Sequence, residues 1–261
     1  MTAHLTITSK PATELTAAEI ADCYGLIAQA GILSAPGMIE AVHLVHNPTV
    51  LLAHQQGRLV GFQTHSCYQA QTPWRAKTMP LIYGGLALQH PEAAGQGIAY
   101  RLASRYMREL LGPFWPLRHY AVLIGTFNPR LIQLFSMQHQ LYLPTEKIIP
   151  PAVVAFVKDF VRHHRSNPHP ISAQLVMSPT SPLVTKSEIT LQWPRLYRAS
   201  EERYNQLAYQ LKLIEQSEGR QYLVGNALLL LARSSRRRLV QSSWGLTRKW
   251  LGKRFGAAKL S

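Results

Sequence analysis

A chain of 261 residues with 46% hydrophobic and 16% charged content can bury the core of a large domain and is not mainly disordered. Two cysteines, Cys23 and Cys67, exclude a disulfide framework and a cysteine-based zinc site. The formal net charge of +15 is concentrated at one end: residues 1–150 carry 10 Lys+Arg against 7 Asp+Glu, residues 151–218 carry 8 against 6, and residues 219–261 carry 10 against none. The basic character therefore belongs to a terminal segment rather than to the whole surface.

The first ten residues, MTAHLTITSK, lack a basic start followed by an apolar stretch, and no apolar run approaches the roughly 20 residues of a membrane span, so a cytoplasmic protein is expected. Thr16 and Glu19 have capping-box spacing and open a helix whose face carries Ile20, Cys23, Tyr24 and Ile27, closed by Gly31. A second short helix is expected over Pro36–His46. Val50–His54 and Leu59–Tyr68 read as strands joined by a turn at Gln55–Arg58, and Pro80–Leu88 as a third strand containing Gly84 and Gly85. Gly97–Leu111 is helical in pattern, His119–Thr126 reads as a strand, and Pro129 sits where a helix starts. Beyond Tyr142 the pattern weakens. Val153–His163 reads as a helix, Ser166–Pro182 as a Ser/Pro-rich linker, Ser187–Trp193 as a strand, Ser200–Glu218 as a helix and Leu223–Ala232 as a buried strand. The order predicts an α/β (α+β) fold: a mixed, mostly antiparallel central sheet flanked by helices, with a C-terminal extension. The predicted organisation is a domain at 1–150, a helical or irregular extension at 151–218 and a basic segment at 219–261.

The segment that carries chemistry runs from Tyr83-Gly84-Gly85-Leu86-Ala87-Leu88 through Gln89–Ala94 to Gly95-Gln96-Gly97-Ile98-Ala99 and into a helix. Small residues between a strand and a helix let backbone N–H groups converge, and the helix N-terminus adds partial positive charge, which suits a phosphate or pyrophosphate. The same glycines also suit a tight turn needing φ > 0. The spacing is neither a P-loop nor a dinucleotide fingerprint, since no Lys-Ser/Thr follows and Gly-x-Gly-x-x-Gly is absent.

Here the sequence resembles the GNAT family of acyl-CoA N-acyltransferases, whose loop reads Arg/Gln-x-x-Gly-x-Gly/Ala; the matching residues are Ala94-Gly95-Gln96-Gly97-Ile98-Ala99. The hairpin with Gly57 in its turn and Leu59-Val60-Gly61-Phe62 after it resembles that family's second and third strands. Gly125-Thr126-Phe127-Asn128 before a helix resembles its fifth strand and closing helix. The resemblance covers about residues 14–145. It implies a cofactor, acetyl-CoA or another acyl-CoA, with its pyrophosphate held by the N–H groups of Gln96, Gly97, Ile98 and Ala99 in the turn that Gly95 permits. It implies pantetheine pairing along Leu86, Ala87 and Leu88, and a contact from Asn128, which equally suits a helix N-cap before Pro129. The implied reaction is transfer of an acyl group, acetyl first among them, to an amine of a small molecule or peptide.

The chain departs from the family at three places. Ala94 stands where Arg or Gln is usual, Phe135 stands at the position of a tyrosine that protonates the departing thiolate, and Gln138–Tyr142 replaces a Gly-Phe pair. The candidates for proton transfer are Tyr83 and His65, with Glu92 and Tyr142 behind them. Tyr83 equally suits core packing, His65 a solvent-facing strand position, and Glu92 a solvated surface. Arg101 and Arg105 could reach phosphates or form a solvated face. His163, His164 and His169 lack a regular ligand face, so no metal is expected.

In the tail, Leu239, Val240, Trp244, Leu246, Trp250 and Leu251 fall on one side of a helical wheel and Arg237, Arg238, Arg248, Lys249 and Lys253 mostly on the other. That pattern suits packing on the protein's own core, peripheral membrane contact through residues 236–254, or nucleic acid by charge alone. A non-catalytic acyl-CoA-binding, membrane-binding or RNA-binding module is the alternative to an enzyme.

Overall fold

Leu5–Pro11 (β1), which alternates apolar and polar residues at its start, and Thr49–Gln55 (β2), with the buried apolar run Val50–Ala53, pair antiparallel along their whole length and open the main sheet. The computed structural model describes residues 4–29, 37, 39–144, 148–165, 170–178, 187–189 and 197–234. Between the two strands lie α1 (Ala17–Gln29) and a π-helical turn (Ile39–Leu44). The capping box opens α1 as its spacing predicts: Glu19 N–H donates to Thr16 Oγ1 at 3.2 Å, and Thr16 N–H donates to Glu19 Oε2 at 2.9 Å. Gly31, Pro36, most of the Ser166–Pro182 linker, Trp193, His169 and the tail from residue 235 lie outside the described residues.

A two-residue turn at Gln56 and Gly57, both at positive φ, joins β2 to β3 (Arg58–Thr72), and β3 pairs antiparallel with β4 (Arg75–Gln89). Both strands are longer than the apolar pattern indicates, because their far ends carry polar residues on a two-stranded arm. Then follow α2 (Ile98–Leu111), β5 (Ala121–Thr126), α3 (Pro129–Gln138) and β6 (His139–Leu141). Strand β5 pairs parallel with β4, so α2 is the crossover that parallel pairing requires.

The chain then leaves the sheet through α4 (Pro151–Arg165), β7 (Val176–Met177), β8 (Ser187–Ile189), α5 (Glu202–Gln210), β9 (Ile214–Ser217) and β10 (Arg220–Leu223) before returning as β11 (Ala227–Ser234). Strand β11 enters antiparallel between β5 and β6, giving the order β1-β2-β3-β4-β5-β11-β6, with β7 also on β11. The expected mixed, mostly antiparallel sheet is present. The sixth position in that order is filled only when the chain returns after residue 226, so sheet residues lie on both sides of positions 150 and 218. Leu228–Leu231 are fully covered, as a continuous apolar run in a central strand must be.

The helix expected over Ser200–Glu218 stops at Gln210. Lys212 adopts φ 51°, Leu213 N–H reaches back to Ala208 O at 2.8 Å, and the end is a Schellman-type closure. The remaining residues form β9, turned into β10 by Glu218 and Gly219, both at positive φ. Strands β8, β10 and β9 make a separate small sheet.

Helix α2 covers one face of the main sheet. Gly61 leaves room for Ile98, whose Cγ2 would stand 2.8 Å from a Cβ there. On the other face Cys23, Leu26 and Ile27 of α1 pack with Val50, Leu52 and Phe62. Phe160 of α4 packs against Tyr68 and Tyr83. Among the described residues no helix is long and apolar enough to cross a membrane.

The register of β3 on β4 shifts at two places, Ala70–Thr72 and Gln63–His65, and the second shapes everything beyond it. Gln63 pairs with Ala87 and His65 with Gly84, so Thr64 opposes two residues, Gly85 and Leu86. This is a β-bulge in β4. Leu86 N–H donates to Thr64 Oγ1 at 2.9 Å, and the buried Asn47 and Ser66 hydrogen-bond beside it at 3.2 Å. A Cβ on Gly85 would stand 2.3 Å from Thr64 Oγ1 and 2.4 Å from Asn47 Nδ2. Gly85→Ala should therefore destabilise the fold by about 2 kcal/mol, as overpacking of a closed site does. Equilibrium urea unfolding would read this as a lower midpoint at unchanged slope.

Candidate functional site

Beyond the bulge, β4 and β5 part. Their parallel pairing runs from Leu81 opposite Ala121 to Gly84 opposite Ile124 and goes no further. Gly125 and Thr126 remain paired with β11 on their other side, and Ala87 and Leu88 with β3. The result is a gap between Gly85–Gln89 and Gly125–Thr126. Leu86 N–H is turned to Thr64 and His90 N–H to Val60 O at 2.8 Å. Alternation along the strand then points the backbone groups of Ala87 and Gln89 into the gap. Of the three strand residues the sequence singles out, Ala87 is thus the one with an N–H free of β3.

The same strand leads through His90 and a 3-10 turn (Pro91–Ala93) into the glycine loop. Gly95 and Gly97 have φ of 83° and 70°, a region that favours glycine, and nothing lies within 4 Å of where a Cβ would project from either. Gly97 is the N-cap of α2, with no side-chain cap. Arg101 N–H closes the first turn on Gly97 O at 3.0 Å, and Gln96 N–H donates to Ala93 O at 3.2 Å. The N–H groups of Gly97, Ile98, Ala99 and Tyr100 lie between these two bonds and, among the described residues, meet no acceptor. Gln96 therefore shapes the turn, and the donor set runs one residue further than the sequence indicates, to Tyr100. Four uncapped donors at the start of a 14-residue helix form an anion cradle.

Side chains on β3 hold that cradle to the sheet. Gln63 Nε2 donates to Ala99 O at 2.9 Å, which turns Gln63 Oε1 toward His65 Nε2 at 3.1 Å. The proton on His65 is thereby placed on Nε2. The His65 ring stacks on Tyr106 of α2 at 4.4 Å, and its Nδ1 is buried without a partner. Burial lowers the His65 pKa to about 4, so the ring is neutral at neutral pH. At the loop's entrance Arg58 lies 2.6 Å from His90 Nε2 and 3.4 Å from Glu92 Oε2. Burial, then the Arg58 charge, hold the His90 pKa down against Glu92. Glu92 is thus exposed but paired, and its charge beside the cradle is offset by Arg58.

Tyr83 and His65 do not converge. His65 shares the α2 face with Gln63, whereas Tyr83 pairs with Ser66 and stacks on Phe160 at 6.3 Å, on the opposite face. His65 is buried, not solvent-facing as its alternation also allowed. Tyr142 stacks on Trp74 at 5.8 Å at the far end of the β3–β4 arm and does not take the place of the missing tyrosine. Phe135 is half-buried against His139. Arg105 is paired with Glu109 along α2, the solvated-face reading. Asn128 Oδ1 accepts from Arg130 N–H at 3.0 Å, so it caps α3 while standing at the end of β5 beside the gap. Among the described residues no three His, Cys, Asp or Glu side chains converge as metal ligands.

Sequence reasoning did not find Asn47, Thr64, Gln63 or Arg58. Their signal was faint: Gln63 and Thr64 are polar residues inside an apolar strand, Asn47 precedes β2 and Arg58 opens β3, and each has a partner that only the fold identifies.

No family model matches the chain, and no curated protein matches it. Among solved structures it is similar to Escherichia coli ElaA, at 13% identity and TM-score 0.36 over 55% of this chain and 90% of that one. It is also similar to the ribosomal-protein-S18-alanine N-acetyltransferase of Escherichia coli, at 14% identity and TM-score 0.36 over 55% of this chain and 86% of that one. The N-acetylglutamate synthase of Neisseria gonorrhoeae, in complex with coenzyme A and N-acetyl-glutamate, matches at 14% identity and TM-score 0.38 over 63% of this chain and 34% of that one. The mixed, mostly antiparallel sheet flanked by helices, with β4 and β5 parting beyond the bulge, is the architecture that the resemblance to acyl-CoA N-acyltransferases implies.

A buried neutral His65 has a consequence for stability. Its pKa is about 4 when folded against 6.5 when free, so the unfolded chain binds more protons between those values. Its contribution is complete above pH 6.5 and is lost as pH falls toward 4. Unfolding free energies measured across that window should decline, and His65→Phe, which keeps a ring on Tyr106 but cannot titrate, should flatten the decline.

Proposed function

We propose that this protein transfers an acyl group, acetyl in the first instance, from acyl-CoA to an amine. The observation that carries the reading is the meeting, on one strand–loop–helix unit, of a gap in the sheet and an uncapped helix N-terminus. An acyl-CoA is a pyrophosphate joined to a long amide-bearing arm, and the two features match those two parts in order. The donors from Gly97 to Tyr100 hold the pyrophosphate, with the helix dipole favouring its charge. The arm lies in the gap like an added strand, its amides paired with the backbone of Ala87 and Gln89. An N–H of this stretch also stabilises the oxyanion as the thioester carbonyl becomes tetrahedral.

In the reaction the amine nitrogen attacks the thioester carbon. The new C–N bond forms, the C–S bond breaks, and a proton leaves the amine while one is gained by the thiolate. Phe135 has no proton to give, and Tyr83 and His65 lie on opposite faces, so the amine's own proton passes to the sulfur through water. The acceptor is a small-molecule or peptide amine. Two of the similar proteins named above are described by different acceptors, a ribosomal-protein alanine and glutamate, and a fold does not choose among acceptors.

A second reading, a non-catalytic acyl-CoA-binding module, is favoured by Phe135 alone. Thiol release from acetyl-CoA across a panel of amines separates the two: turnover with any amine supports the enzyme, and tight binding without turnover supports the module. Gly97→Glu should weaken acetyl-CoA binding at least about tenfold in calorimetry, because it forces a side chain into a left-handed position and adds a negative charge to the cradle. Retained affinity would remove the cradle from the account.

A further inference from the structure

At the end of the sheet away from the gap, the segment joining α2 to β5 carries Gly112-Pro113-Phe114-Trp115-Pro116-Leu117-Arg118-His119. Phe114 is 69% exposed and Leu117 51% exposed, and Leu110 on the last turn of α2 is 38% exposed. Trp115 is held inward beside Tyr120 at 6.2 Å, which fixes the segment to the core. Its backbone is largely self-satisfied: Trp115, Leu117 and Arg118 N–H groups bond to Gly112, Phe114 and Trp115 oxygens at 3.0–3.1 Å. Pro113 and Pro116 have no N–H. A loop whose N–H groups are mostly paired or absent meets much of the condition that lipid imposes on a backbone entering an apolar layer.

Its surroundings are cationic. Arg108 and Arg118 are exposed on either side, and Lys77 is exposed on the adjacent arm. The acid on this stretch, Glu109, is already paired with Arg105. One concavity joins Leu110 and Leu117 to Arg118 and His119, and a second joins His119 to Arg75 and Arg233. Tyr120 and Ser234 hydrogen-bond to each other at 2.9 Å and 3.2 Å, so β11 ends beside the loop. Two residues further on, the sequence begins a run with eight Lys+Arg and no Asp+Glu, starting at Arg236-Arg237-Arg238.

We infer that the Gly112–His119 loop, with the exposed Arg108, Arg118 and Lys77 around it, forms a docking face for an anionic lipid bilayer. The cations neutralise the headgroups while Phe114 and Leu117 enter the layer beneath. Leucine offers nothing to a phosphate backbone, so the exposed apolar pair favours lipid over nucleic acid. The gap lies at the other end of β4 and β5, so docking leaves it open to solution.

The test uses the full chain and sedimentation with two vesicle types, phosphatidylcholine alone and an equimolar mixture with phosphatidylglycerol. Binding is expected to the mixed vesicles only, and to weaken steeply with added salt. The double variant Phe114→Ser, Leu117→Ser should lose about tenfold or more in vesicle affinity while its melting temperature is unchanged, since both side chains are exposed. Equal binding by the variant, equal binding to neutral vesicles, preference for a single-stranded RNA competitor, or loss of a dimer in place of loss of vesicle binding would each overturn the inference.

Discussion

The arrangement depends on one hydrogen-bonded mismatch in the central hairpin. Thr64 on β3 faces two residues of β4, and its hydroxyl accepts the Leu86 N–H that the ladder would otherwise leave unpaired. Because Gly85 has no Cβ, Thr64 and the buried Asn47 can close over the extra residue. The added residue re-aims β4 away from β5. Among the described residues the edge of β4 from Gly85 onward therefore has no strand paired with it on the β5 side, although both strands lie inside a seven-position sheet. A backbone edge in the middle of a sheet is costly unless something pairs with it. That constraint is what supports the proposal that the gap takes a strand-like ligand.

The second half of the site is held by the opposite tactic, in which side chains immobilise backbone. Gly61 lets Ile98 settle on the sheet, and Gln63 holds the Ala99 carbonyl. Those contacts fix the first turn of α2 while leaving its N–H groups directed outward. His65 supports Gln63 and stacks on Tyr106 without carrying charge, so no cation of the core competes with the cradle for an anion. The loop tolerates Ala94 where an arginine or glutamine is usual because its donors belong to the main chain. Glu92 is paired with Arg58, which offsets a carboxylate that would otherwise oppose an anion at the loop.

Much of this was legible in the residues. The Gly95-Gln96-Gly97 turn, the strand before it and the Pro129 helix start are local features, set by φ preferences and apolar period, and they stand where the pattern places them. The bulge was not legible, because it depends on Thr64, Asn47 and Gly85 meeting across strands. Strand β1 was passed over because its alternation is weakly apolar. The Leu223–Ala232 run was readable as a buried strand, yet its place between β5 and β6 depends on pairing across about a hundred residues, which periodicity does not encode. The overrun at residues 211–218 arose because a left-handed lysine, Lys212, ends the helix where glycine would have announced it. Tyr83 and His65, each a candidate by its residue type, stand on opposite faces because strands alternate: Tyr83 lies opposite Ser66, one residue on from His65.

The most direct test of the central claim is the change in backbone amide resonances of the labelled protein as acetyl-CoA is added. If the gap and cradle bind it, the amides of Ala87, Gln89, Gly97, Ile98, Ala99 and Tyr100 shift together with one saturation curve, while Leu86, locked to Thr64, and Gln96, locked to Ala93, move less. Shifts confined to another surface, or none at millimolar ligand, would contradict the account.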